Sequence, residues 1–395
     1  MTTRTVINRT GTYVVLVAVA LVVLFPFFIA FTTSLKQSDD VFNYPPTVFP
    51  REAAVVQGGA LDGKPLFDLE VEGEQRRVAL ETDGASVLVL ADPEEPTRTV
   101  LVPVDEVTDT GQTVEVDGEQ RPLVTADVAG EQQTLARLRS SVGAVFRDPQ
   151  DPDFSVVRNV SDATAVKELT AQPSNYSKVL ELQRLDRSLT NTLLVTVLIV
   201  VGQVVTSILG GYAFSRMTFT GRDALFLGYI GSVMIPFVVL IIPLYQLMVS
   251  IGWVDSLVSL VIPFVFSAYG TFLMRQFLIT IPKELEEAAV LDGASRWTIL
   301  WRIFVPLSVP AIATLSTFAF LYAWNSFVWP LVVINSGNLD NRVLALSLQV
   351  LGGRAADTPN LILAGVTIAL LPPITVFVLA QRYFVENVAS TGLKG

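Results

Sequence analysis

Six stretches of this chain contain no Asp, Glu, Lys or Arg: Thr10–Leu35, Ser188–Ser215, Ala224–Val254, Ser256–Met274, Ile303–Leu339 and Asn360–Gln381. A helix needs about 20 apolar residues to cross roughly 30 Å of hydrocarbon, where every backbone N–H and C=O must find a partner within the segment. The pattern predicts a mainly α-helical membrane protein with six transmembrane helices. The first stretch reads as a span and not as a cleaved leader. Its apolar run, Tyr13–Phe31, is longer than a leader's core, and no A-x-A-like cleavage site follows it.

Charge divides the chain into two kinds of material. The formal net charge is −10, yet residues 51–170 hold 24 acidic and 11 basic residues, a net of −13, and the remainder is net positive. Several of the basic residues outside that segment fall in short links: Arg4 and Arg9 before the first stretch, and Arg216 and Arg222 between the second and third. Lys283, Arg296 and Arg302 lie between the fourth and fifth, with Arg382 and Lys394 after the last. The link between the third and fourth holds only Asp255. Lys and Arg in short loops mark the cytoplasmic side, so both termini are expected in the cytoplasm and the acidic segment outside it. The acidic segment offers no basic patch to a nucleic acid. His and Cys are absent, which excludes disulfides, Cys/His metal sites, a cysteine nucleophile and a histidine proton relay.

The acidic segment reads as a small β-rich domain. Runs such as Ser86–Leu90 and Thr99–Val104 are β-branched and bounded by Asp, Gly and Pro. Val71-Glu-Gly-Glu-Gln-Arg76 and Val116-Asp-Gly-Glu-Gln-Arg121 echo each other, either as a duplicated hairpin unit or as two separate uses of one turn chemistry. Thr134–Val142 is expected as a short helix, and Asp148–Asp153 as a Pro/Asp linker.

Between the fourth and fifth stretches, residues 281–306 read as two short helices joined at Gly293. Pro282 suits a helix start, and Glu284, Glu286 and Glu287 favour the positive end of the helix. Gly293 can take a left-handed cap and Ser295 can cap the second helix. Ala288, Ala289 and Gly293 leave room for another protein to approach the backbone. On composition alone the segment could equally lie on the membrane surface.

Glu287-Ala288-Ala289, three residues, Gly293, nine residues, then Ile303-x-Val305-Pro306 resembles the EAA loop of binding-protein-dependent ATP-binding-cassette (ABC) importer permeases, with Val305 in place of the family's Leu. Asp292-Gly293-Ala294 also matches a common form of that loop. Asn191-Thr-Leu193, Gly211-Tyr-Ala-Phe-Ser-Arg216, Trp324-Asn325-x-Phe327-x-Trp329-Pro-Leu331 and the tail Gln381–Val385 with Thr391–Gly395 are similar to the second permease of maltose-type systems. The Glu386-Asn-Val388 segment departs from the family's usual Gly-Leu-Thr. The resemblance covers residues 1–50 and 173–395. It implies the type I importer permease fold, with the β-rich domain of residues 51–172 inserted on the extracytoplasmic side between the first and second helices. The family passes almost directly from a stretch like Tyr44–Pro50 to a pair like Asn175-Tyr176, so about 120 residues are inserted here.

The resemblance further implies a multi-pass bacterial inner-membrane subunit that imports a sugar, an oligosaccharide such as maltose or a relative, and docks an ATPase on the 281–306 loop. Its partners would be two ATPase subunits carrying ATP and Mg, a second permease and an extracytoplasmic solute-binding protein. The chain itself has no G-x-x-x-x-G-K-[ST] phosphate loop, so it is expected to bind no nucleotide cofactor and to be no enzyme. Gln203, Tyr245, Gln246, Tyr269, Tyr322 and Asn325 are the polar residues within the apolar stretches that could line a path for hydroxyl-rich solutes. Each could equally hold neighbouring helices together. Trp324 and Trp329 could belong to an interfacial aromatic belt. A permease for a non-sugar solute is the alternative, and a membrane-anchored ligand sensor a more distant one. The charge pattern makes a testable topology. Tags at Thr2, Thr220 and Gly395 should be inaccessible from outside and one at Gly118 accessible, as read by impermeant labelling of intact cells.

Overall fold

The computed structural model describes the chain apart from residues 1–2, 43, 45, 72, 129–130, 152–153, 354–357 and 392–395, so the end of the tail motif lies outside the described residues. The chain divides into two compact units, Met1–Val48 with Gln172–Gly395, and Phe49–Ala171.

The first unit is helical. It opens with α1 (Thr3–Ser34) and α2 (Ser38–Val41), and resumes at α3 (Ser174–Glu181), α4 (Leu185–Arg216), α5 (Arg222–Gly231) and α6 (Phe237–Ser250). Then come α7 (Val258–Val261), α8 (Ala268–Ile279), α9 (Lys283–Leu291), α10 (Arg296–Ile299) and α11 (Val305–Leu307). The unit closes with α12 (Val309–Trp324), α13 (Val328–Val333), α14 (Leu344–Gly352) and α15 (Pro359–Thr391). Among the described residues, three stretches are long and apolar enough to cross a membrane unbroken: Gly11–Ser34, Leu185–Arg216 and Pro359–Arg382. Three more are bent helix pairs: Arg222–Met234 with Phe237–Ser250 (98°), Val258–Phe264 with Ala268–Ile279 (41°), and Arg296–Leu307 with Val309–Trp324 (79°). If each pair is one span, the count is six. Proline accounts for two of the bends: Pro236 sits at the start of α6, and Pro306 and Pro310 flank Ser308.

The fifth apolar stretch is thus not one helix. Its beginning, Ile303–Leu307, lies before the 79° bend, and α12 stops at Trp324, with Asn325 as its cap. Phe327 is the N-cap of the separate short α13, which holds Trp329-Pro-Leu331. Nor are the two tryptophans belt residues. Both are buried; the indole N–H of Trp324 donates to Ala369 O (3.2 Å) and that of Trp329 to Ser259 O (2.9 Å). An indole N–H taken from water needs such a partner, and here the partners are neighbouring helices.

The tightest contact in this unit is the crossing of α4 and α8. A Cβ on Gly211 would lie 2.7 Å from Met274 Cβ and 3.0 Å from the backbone N of Arg275, and one on Gly270 2.3 Å from Ser207 Oγ. Small residues let helix backbones approach where lipid supplies no hydrophobic drive. At its other end α1 is held by side-chain amides. Asn175 Nδ2 donates to the carbonyls of Ser34 (2.9 Å) and Lys36 (2.8 Å), and Asn360 Nδ2 to that of Lys36 (3.0 Å). The Tyr176 hydroxyl lies 2.7 Å from Ser34 Oγ.

The second unit is an antiparallel β-domain. β1 (Arg51–Ala53) pairs β10 (Lys167–Leu169). The other strands are β2 (Leu66–Val71), β3 (Glu74–Ala91), β4 (Thr99–Pro103), β5 (Val107–Val116), β6 (Glu119–Val128), β7 (Glu131–Arg147), β8 (Ser155–Arg158) and β9 (Thr164–Ala165). Together they form an eight-stranded sheet in the order β5-β6-β7-β3-β2-β9, with β4 beside β3 and β8 beside β7. Apolar clusters around Leu90, Val124 and Leu135, and around Leu69, Val78 and Phe146, form its core.

Two expectations are corrected here. Thr134–Val142 lies inside β7 and is not a helix: Leu135 pairs Val124 in β6, and Arg139 pairs Val89 in β3. Its Leu-Ala-Arg-Leu-Arg run favours a helix locally, but ladders on both sides decide the outcome. Asp148–Asp153 is not a linker between domains. The Asp148 N–H donates to Phe154 O (3.3 Å), which turns the chain from β7 into β8; residues 152–153 lie outside the described residues.

The two echoing hexapeptides both make hairpins, joining Val71 to Glu74 and Val116 to Glu119. Asp117 (φ 51°) and Gly118 (φ 78°) have the left-handed geometry of a tight two-residue turn. The sheet nevertheless repeats in a different register. β3 and β7 form the central pair; β2 and β4 flank β3 as β6 and β8 flank β7. The hairpin equivalent to β2–β3 is therefore β6–β7, not β5–β6. The echo is the same turn chemistry used twice.

The crossing of α4 and α8 makes a paired prediction. Gly211→Ala should lower stability by about 1–3 kcal/mol through overpacking, seen as a lower thermal midpoint of the purified protein in detergent. Gly228→Ala, with nothing within 4 Å of the added Cβ, should be neutral or slightly stabilising.

Candidate functional site

The segment from Lys283 to Leu307 is built from the residues that the motif spacing singles out. α9 ends in a Schellman motif. Gly293 takes φ +78°, its N–H donates to Val290 O (3.0 Å), and the Ala294 N–H donates to Ala289 O (2.9 Å). The spacing from Ala289 to Gly293 is what this cap requires: a carbonyl three residues inside the helix end and a residue free to go left-handed just beyond it. Asp292 is the C-cap of α9. Ser295 then caps α10, its Oγ accepting from the Thr298 N–H (3.2 Å).

A π-helical turn, Leu300–Phe304, follows and carries Ile303. Pro306 explains it, since a residue without an N–H cannot donate back to the preceding turn. Ala289, Ile299, Leu300 and Phe304 are buried against Ile208, Tyr212, Met274 and Leu278, with Ala294 and Ile303 packed at the edge of the cluster. The opposite side is open. Glu287, Ala288, Asp292 and Gly293 are exposed, and so are the large apolar residues Leu291 (88%) and Trp297 (63%). The loop thus holds an apolar rim exposed beside its packed face.

Arg216, the last residue of α4, holds this loop in place. Its side chain is only 4% exposed. One guanidinium nitrogen donates to the carbonyls of Leu278 and Ile281, and another lies 3.6 Å from Glu286 Oε2 on α9. Its Cζ lies 4.8 Å from the centre of the Phe304 ring. The last carbonyls of a helix lack partners within it, so a cation is favoured there. Arg275 returns the contact from α8: its Nε donates to Phe214 O of α4 (3.3 Å), and its guanidinium stacks on Phe226 (4.3 Å). Neither arginine stands out in the sequence as a site residue. The available signal is a basic residue placed immediately after a charge-free stretch.

The polar residues proposed for a solute path do not converge within this chain. Gln203 is buried, and its Nε2 donates to Phe264 O (2.8 Å), so it ties α4 to the α7–α8 segment and does not line an opening. Tyr245 is half-buried and Gln246 exposed on α6. Tyr269 and Tyr322 are exposed, the first edge-on to Phe318 and the second 6.1 Å from Phe264. Asn325 is exposed at the end of α12, its Nδ2 donating to Leu321 O (2.9 Å). The cavity between Tyr322, Phe264, Trp324 and Trp329 measures ≈ 20 Å³, room for one water and not for a sugar ring.

Apolar helices of membrane-crossing length, carrying a capped loop with an exposed apolar rim, are the features that a membrane component would show. The family model of the binding-protein-dependent transport system inner membrane component matches residues 203–390. The chain is 36% identical over 229 residues to the sn-glycerol-3-phosphate transport system permease protein UgpE of Rhizobium meliloti (strain 1021), which covers 56% of this chain and 81% of that one. It is 33% identical over 205 residues to the arabinooligosaccharides transport system permease protein AraQ of Halalkalibacterium halodurans, covering 52% and 73%. A solved bacterial ABC transporter involved in the import of the acidic polysaccharide alginate has a similar fold, with a TM-score of 0.56 at 19% identity over 97% of this chain and 99% of that one. The chain belongs to the binding-protein-dependent transport system inner membrane component family, the permeases of ABC importers, and is a non-catalytic subunit.

Proposed function

We propose that this permease subunit imports a neutral sugar, of oligosaccharide class, handed to it by an extracytoplasmic binding protein, and that its 283–307 loop docks an ATPase. The observation that carries the docking is the two-sided loop: one face packed under α4 and α8, the other exposing Leu291 and Trp297 beside the Glu287-to-Gly293 motif. In this reading the six apolar stretches are six spans, both termini are cytoplasmic, and the β-domain faces outward. A second permease completes the path, so exposed Tyr269, Tyr322 and Asn325 meet solute or partner in the assembled complex. ATP and Mg sit on two ATPase subunits.

The named substrates of the relatives divide between an oligosaccharide and a phosphate ester. The apolar stretches of this chain offer hydroxyls, amides and aromatic faces, but no Lys or Arg to meet a phosphate. That favours the sugar, whose hydroxyls need hydrogen bonds and whose ring faces stack on aromatic side chains. Reconstituted with its binding protein, the complex should take up labelled oligosaccharide in preference to labelled glycerol 3-phosphate; the reverse preference would sink the sugar assignment. Gly293→Asp should abolish uptake and release the ATPase during purification while the permease still folds, since it puts a side chain at φ +78° and a second carboxylate beside Asp292. Normal ATPase retention and uptake in that variant would show that the loop is not the docking site.

A further inference from the structure

Arg216 touches three pieces of chain that the loop would need to move together. Through Leu278 and Ile281 it holds the end of α8, through Glu286 it holds α9, and through Phe304 it holds the π-turn that precedes the 79° bend into α12. It belongs itself to α4, which the glycine crossing presses against α8. Two of its partners are backbone carbonyls, which cannot rotate away; one arm of the planar guanidinium reaches both, and the other arm faces Glu286. A buried cation that loses one of its partners is left uncompensated. It therefore costs less for α4 to follow α9 than for the contact to break.

We propose that Arg216 is a positioning residue that makes α4 follow the 283–307 loop, so that a displacement of the loop becomes a displacement of the span. The proposal rests on the loop being the ATPase contact, and it adds the part through which the motion leaves the loop. An arginine at the cytoplasmic end of a span needs only water or lipid headgroups to be satisfied. Here it is instead buried under the loop, with one terminal nitrogen on the carbonyls at the end of α8, the other facing Glu286 of α9, and its Nε buried without a partner among the described residues.

Because the chain has no cysteine, a single label pair can be introduced into it. Spin labels at Lys283→Cys and Leu198→Cys report the loop and a point on α4 about 27 Å along the helix axis from Arg216. Their separation is measured by pulsed dipolar spectroscopy in the complex assembled with cysteine-free partner subunits, with and without ATP and vanadate. With Arg216 present, one narrow distance should persist in both states. Arg216→Gln should keep that distance without nucleotide and shift or broaden it when nucleotide is added. Arg216→Lys, which keeps the charge but not the fork, should behave as Arg216→Gln does.

A native distance that changes with nucleotide would overturn the proposal, as would an Arg216→Gln variant indistinguishable from native in both states. A distance already broad without nucleotide would reduce Arg216 to local packing, and full rescue by Lys would reduce it to charge; either result rejects the positioning role. Failure of the underlying reading is visible separately, as ATPase retention that is insensitive to Gly293→Asp.

Discussion

The close crossing of α4 over α8 is the constraint from which the rest of the helical unit follows. Lipid gives helices no hydrophobic reason to associate, so contact depends on how near the backbones can come. Gly211 and Gly270 bring them to a separation at which a methyl group would collide with the facing helix. That approach places the C-terminal ends of the two helices side by side, and each then satisfies the other. Arg216 of α4 reaches the terminal carbonyls of α8, and Arg275 of α8 reaches Phe214 O of α4. Without the glycines the two arginines would be separate charges, each at the end of its own helix. With them, the pair becomes a reciprocal weld, and the 283–307 loop hangs from one side of it.

The β-domain stands apart from this logic. The hydrogen bonds from Asn175 and Asn360 to the carbonyls at the end of α1 close the helical unit on itself. Gln172, at the resumption of that unit, donates from its backbone N–H to Leu35 O (2.8 Å). The chain therefore leaves and re-enters the helical unit at neighbouring points, an arrangement that tolerates an inserted domain because loop-closure cost grows only slowly with length. The domain carries its own paired β-core around Phe146 and Leu90, and its acidic side chains keep the surface well solvated.

What could be read from the sequence was the chemistry that acts locally. The left-handed cap at Gly293, the Ser295 cap and the turn at Asp117-Gly118 each depend on a few adjacent residues, and each is found where those residues stand. What could not be read depends on distant partners. The 134–142 stretch becomes strand because β3 and β6 flank it, against its own preference. Trp324 and Trp329 turn inward because Ala369 and Ser259 offer carbonyls from other helices. The bend at Ser308 was half visible, since Pro306 and Pro310 are plain in the sequence but the 79° angle is not. The place of Gln203 was hidden for the same reason: an amide reads alike whether it faces a channel or, as here, a neighbouring carbonyl.

The motif itself shows how local and distant causes meet. The Ala289-to-Gly293 spacing follows from helix capping, because Ala289 supplies the carbonyl that the Ala294 N–H reaches and Gly293 is the left-handed residue between them. Capping explains why the loop has a definite shape; it does not explain why Leu291 and Trp297 remain exposed while Ile299, Leu300 and Phe304 are buried. That division is set by the position of α4 and α8, which cover one side of the loop and leave the other free. A loop covered on both sides would be core, and one covered on neither would not hold its rim in a fixed orientation. Between these cases lies a surface stiff enough to be pushed and apolar enough to be gripped. The docking proposed above makes use of that combination: a partner gripping the rim moves the helices packed behind it.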